Sequence, residues 1–141
     1  MEQRLMGLIA PILTTRVAHW MALLGLCAAY LQGSLMKLLN FNSAIAEMTH
    51  FGLKPATLFA VAVIGFELTA CAMILTGFYR WLGALGLAGF TLLATFVALR
   101  FWEMPAGMDR MMATNAFFEH LGLIGGFILI ALMDVRAQSP I

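Results

Sequence analysis

One carboxylate stands alone in apolar surroundings: Glu67 is the only charged residue in the run 56–77. A helix of about 20 residues spans a bilayer, and a charge near its middle costs roughly 2.5–3.5 kcal/mol on insertion scales. A residue kept at that cost marks proton, ion or ligand chemistry more often than packing alone. Other polar residues end or interrupt similar runs: Gln32 and Lys37 in the first, Arg100 at the close of the third, Glu119 and His120 in the fourth. For helices of alternating direction rising about 1.5 Å per residue, Lys37 and Arg100 fall at one boundary. Glu119 and His120 then lie about 6–8 Å inward and Glu67 about 16 Å inward. The pattern predicts a polar pocket open to one face, with an apolar floor. Lys37 and Arg100 are expected to neutralise Glu67 and Glu119, since an unpaired buried charge is too costly. Glu67 is expected to join Lys37 or Arg100, directly or through water, Gln32 or Glu119. Glu119 and His120 are adjacent and point about 100° apart, so both cannot face the pocket squarely.

Other side chains receive plainer readings. Cys27 and Cys71 sit in apolar runs without Cys-x-x-Cys spacing, as small buried hydrophobes do. A stripe through Gly25 would turn Cys27 away from Cys71, so no disulfide is expected. The histidines lack metal-binding spacing, no metal site is expected, and the eleven methionines read as flexible filler.

The elements that must position these residues follow from four apolar runs, at about 17–38, 56–77, 81–101 and 115–133. Continuous apolarity without period-two alternation points to helices. Of the chain's 141 residues, 62% are hydrophobic and 11% charged, against roughly 25% charged in soluble domains. The expected fold is an all-α, transmembrane four-helix bundle, up-down antiparallel, forming a single integral membrane domain over 1–141. A short interfacial helix is expected between spans one and two, over Ser43–His50, capped by Ser43 and ended by Gly52 and Pro55. The first sixteen residues read as an interfacial lead-in, not a removed signal peptide. Net charge is +1 with no basic block, which argues against nucleic acid as a partner. Small residues line each span: Gly25, Ala29, Gly33 before Lys37; Ala60, Ala70, Cys71 around Glu67; Gly86, Gly89, Leu93, Phe96 before Arg100; Asn115, Glu119, Gly122, Gly126 in the last. Such stripes are expected to face neighbouring helices. Arg4, Arg16, Arg80 and Arg136 against Lys54 and Arg110 give a loop count of four to two, favouring cytoplasmic termini. Lys37 and Arg100 are left out of that count as lying inside apolar runs.

At these residues the chain resembles the DoxX family of small four-helix membrane proteins. The likeness rests on Arg16, Gly33-Ser34-Leu35-Met36-Lys37, Phe41, Glu67, Leu75-Thr76-Gly77-Phe78-Tyr79-Arg80, Thr95 through Trp102, and Leu121-Gly122-Leu123-Ile124-Gly125-Gly126, and covers nearly the whole chain. Many members carry His near the place of Arg100. The resemblance implies a link to thiosulfate:quinone oxidoreductase, terminal-oxidase assembly, membrane oxidoreductase complexes and oxidative-stress resistance, and it transfers no catalytic residue. The expectation is a bacterial inner-membrane, multi-pass protein acting as a subunit of a redox system. Its pocket candidates are Lys37, Glu67, Arg100, Glu119, His120 and Gln32. It is expected to carry no covalent cofactor, to bind a quinone, and to meet the lipid bilayer, a redox protein partner and further copies of itself. The rival readings are a small-molecule transporter of the four-helix type and a structural anchor. Against the transporter, the inner half holds only His19.

Overall fold

The computed structural model describes residues 1–139. Those residues fold as helices and connecting turns, with no strand among them. The long helices are α2 (Arg16–Leu39), α4 (Ala56–Thr76), α5 (Arg80–Ala98) and α6 (Met108–Gln138), with shorter α1 (Glu2–Leu13) and α3 (Phe41–His50). Four are long and apolar enough to cross a membrane. Their outward faces carry Leu24, Leu35, Phe59, Val61, Leu85, Leu92, Val97, Leu129 and Leu132, all exposed. An apolar exterior of this kind suits lipid as the solvent.

The ends of the helices follow from local chemistry. The Thr15 side chain accepts from the Ala18 amide and starts α2. Asn40 both ends α2, its amide closing on the Met36 carbonyl, and starts α3, its side chain accepting from the Ser43 amide at 3.2 Å. Ser43, the expected cap, instead lies inside α3, because Asn40 precedes it by the three residues that capping requires. At the other end of α4, Gly77 has φ +83°, a conformation that costs an L side chain about 1–2 kcal/mol. The last helix begins at Met108, seven residues ahead of the apolar run at 115. Its first turns are polar and methionine-rich, so an apolarity window misses them.

Helix contacts fix the register. Phe66 meets Phe90 at 5.4 Å between ring centroids, and a Cβ on Gly83 would lie 2.9 Å from the Ala70 carbonyl oxygen. The paired numbers run in opposite directions along α4 and α5. The same holds for α2 against α4, through Cys27 with Cys71 and Ser34 with Glu67, and for α5 against α6, through Thr95 with His120 and Trp81 with Asp134. The main core holds Leu23, Cys27, Tyr30, Cys71, Ile74, Leu87 and Phe127. A second cluster packs Ala44 and Met48 of α3 against Ala60 at the start of α4.

Outside α4 the small-residue stripes face neighbouring helices only in part: Gly86 meets Phe66 and Gly126 meets Leu26, while most other members are exposed. In α2 the buried face is Leu23, Cys27, Tyr30 and Ser34, while Cβ atoms on Gly25 or Gly33 would meet nothing within 4 Å. In α5 the buried face is Gly83, Ala84, Leu87, Ala88, Thr91 and Thr95, leaving Gly89, Leu93 and Phe96 outside. In α6 Gly122 is open and Gly126 meets only the end of Leu26. Small residues permit close approach without demanding it, and these helices carry them on more than one face. Gly83 is where close approach is enforced, since its neighbour is backbone.

Candidate functional site

Glu67 lies on the core face of α4 and is 5% exposed. Ser34 of α2 donates its hydroxyl to Glu67 Oε2 at 2.6 Å, and Lys37 Nζ stands 3.6 Å from the same oxygen. Ser34 and Lys37 are three apart on one helix and therefore share a face. The lysine contact is longer than a hydrogen bond, so Ser34 supplies the bond and Lys37 the charge. The Lys37 side chain is 18% exposed and leads outward to a cavity of about 350 Å³, lined also by Gln32, Met36, Asn40, Ser43 and Glu47.

Lys37 reaches Glu67 without a bridge. The depth estimate assumed that α2 and α4 stop at one level, and they do not. Lys37 is two residues from the end of α2, about 3 Å, whereas Glu67 is eleven residues from the start of α4, about 16 Å. The first turns of α4 thus run past the end of α2, and α3 packs against the projecting part.

The remaining candidates separate. Arg100 lies beyond the end of α5, is exposed, and pairs with Glu103 three residues on. It still falls inside the third apolar span, Arg80–Glu103, and so stays out of the loop-charge count. Glu119 is exposed and has no ion-pair partner among the described residues. Its neighbour His120 turns inward instead, with Nδ1 2.8 Å from Thr95 Oγ1. Gln32 is exposed on the cavity wall.

Several polar residues were not anticipated. Tyr30, one turn from Ser34 on α2, hydrogen-bonds Thr91 and sets its ring edge-on to Phe127. Thr91 donates to the Leu87 carbonyl and Thr95 to the Thr91 carbonyl, each at 2.6 Å. Polar groups therefore continue through the interior from Lys37 and Glu67 toward His120. Thr and Tyr read as ordinary members of an apolar run, so only their spacing on the buried face marks them. At the opposite end, Arg80 Nε donates to the Ile74 carbonyl at 2.8 Å, and its guanidinium stands 3.9 Å from Asp134. The other Asp134 oxygen accepts from the Trp81 amide at 3.1 Å. One carboxylate thus joins α6 to the turn between α4 and α5. A cavity of about 440 Å³ between α2 and α6 opens beside this pair, lined by His19, Leu23, Leu26, Gly126 and Met133. Arg80 and Asp134 sit just outside the apolar runs read from the sequence, 81–101 and 115–133, and close the end of the bundle where His19 lies.

Residues 19–100, more than half of the chain, match the DoxX family. The chain belongs to that family. With its four long apolar helices, this DoxX protein is a multi-pass membrane protein. The matched region contains Tyr30, Ser34, Lys37, Glu67, Thr91 and Thr95, while His120 and Asp134 lie beyond it. No curated protein and no solved structure matches the chain.

Proposed function

We propose that this DoxX protein is the membrane subunit of a quinone-linked oxidoreductase system in the bacterial inner membrane. It would be an up-down bundle with cytoplasmic termini and α3 lying at the interface. The reading rests on one observation: Glu67, buried and hydrogen-bonded by Ser34, shares its partner Lys37 with an open cavity. A quinone, when bound, carries two electrons together with two protons. The cavity lining suits its headgroup, because Lys37, Gln32, Asn40 and Ser43 offer donors and Met36 and Ala44 an apolar wall. Lys37 would orient a carbonyl oxygen. Glu67 would hold or release a proton behind it, with the Ser34 hydroxyl keeping the carboxylate in place. Electrons would come from a partner protein.

The test separates shape from charge. Glu67→Gln keeps volume and hydrogen bonding, so the variant should fold with an apparent Tm near wild type. It should fail to restore quinone-dependent respiration to membranes from a deletion strain. Lys37→Gln should weaken binding of a short-chain quinone to the purified protein about tenfold, the loss of about 1.4 kcal/mol. Full complementation by Glu67→Gln, with unchanged binding by Lys37→Gln, would leave the protein as a structural anchor.

A further inference from the structure

The chain has two cysteines, and both occupy one place in the core. Cys27 of α2 and Cys71 of α4 are each 0% exposed. Cys71 Sγ lies 4.0 Å from the Cys27 carbonyl oxygen, so the two residues face each other across the contact of α2 with α4. The expectation that Cys27 faces away failed because the buried face of α2 is that of Leu23, Cys27, Tyr30 and Ser34 and not the glycine stripe. A sulfur resting against the facing residue's own carbonyl requires two backbones in close approach, as a bridge also does. On α2, Tyr30 lies one turn from Cys27; on α4, Glu67 lies one turn from Cys71. The dithiol therefore sits at the end of the polar seam that contains the candidate site.

We propose that Cys27 and Cys71 are a redox-active dithiol that closes to an interhelical disulfide, with a lipid-soluble quinone as the oxidant. Two S–H bonds break and one S–S bond forms. The two electrons and two protons pass to the quinone, which leaves as the hydroquinone. A cavity between α2 and α6 opens beside this part of the core, and its wall includes Leu23 and Leu26, the turn of α2 before Cys27. Closure would tie α2 to α4 one turn from Glu67 and hold Ser34 and Lys37 in register with it. The inference does not rest on quinone binding at Lys37, which lies ten residues, about 15 Å, further along α2.

The experiment uses the full chain, reduced, in lipid nanodiscs. It is treated with a fully ring-substituted 1,4-benzoquinone, which resists thiol addition, then denatured and alkylated with N-ethylmaleimide. Wild type should lose both alkylatable thiols together, stay monomeric on a non-reducing gel, and show the Cys27 and Cys71 peptides joined. Hydroquinone should form in equal amount, and dithiothreitol should restore both alkylations. Cys27→Ser and Cys71→Ser should each keep their remaining thiol under the same treatment. Two thiols persisting in wild type, bridges between chains, or loss of the single thiol at the wild-type rate would each overturn the proposal. The alkylation readout involves neither complementation by Glu67→Gln nor quinone binding at Lys37, so failure here and failure of the Lys37 site are read separately.

Discussion

Glu67 is held by one hydroxyl and one ammonium, and its two partners do different work. Ser34 satisfies a lone pair at 2.6 Å, while Lys37 neutralises the charge from 3.6 Å. Removing the side chain leaves the Ser34 hydroxyl without its acceptor and Lys37 without its counter-charge. Glu67→Ala should therefore lower stability by about 3 kcal/mol, the low end for breaking a buried pair, because Lys37 keeps some solvent contact. The measurement is the apparent Tm in detergent, and a loss below that of Ser34→Ala would show that the ion pair contributes little. Glu67 was legible in the sequence because a lone charge in a long apolar run is conspicuous. Ser34 and Tyr30 were not, since a hydroxyl within such a run gives no signal until its face is known.

At the scale of the helix, glycines divide by what stands opposite them. Gly83→Ala would drive a Cβ to 2.9 Å from both the Ala70 carbonyl oxygen and the Met73 Cβ. Backbone cannot swing aside, so the variant should lose roughly 2–3 kcal/mol, as overpacked cores do. Gly122→Ala should leave the thermal midpoint unchanged, since its Cβ meets open space; a large drop there would show that α6 is packed on that face by another chain. Asp134 offers a third test. It caps the Trp81 amide and faces Arg80, so Asp134→Ala should cost about 1–2 kcal/mol, the range for a lost N-cap. Asp134→Asn should recover part of that loss. The existence of the four long helices was legible, because length and apolarity determine it, whereas α1 lies in residues read only as a lead-in. Which face each helix buries was not, because small residues occur on several faces and only the assembled bundle selects one.

Across the whole molecule, the loop-charge count of four against two favours cytoplasmic termini. A phosphatase fusion at the C-terminus should accordingly be inactive, and strong activity would place the Lys37 cavity on the cytoplasmic side. The uneven lengths of α2 and α4 also bear on the surrounding lipid. Measured from the Lys37–Glu67 contact, α4 continues about 13 Å further than α2, close to the depth of one leaflet. Beside α2 a lipid meets Asn40 and Ser43 where, beside α4, it still meets Phe59 and Val61. Helices of such unequal reach would be accommodated by a bilayer thinned on one flank of the protein, a local hydrophobic mismatch. Headgroups would then come down to the level of Lys37 on the thin flank. An amphipathic molecule can arrive there sideways, with its tail still among the acyl chains.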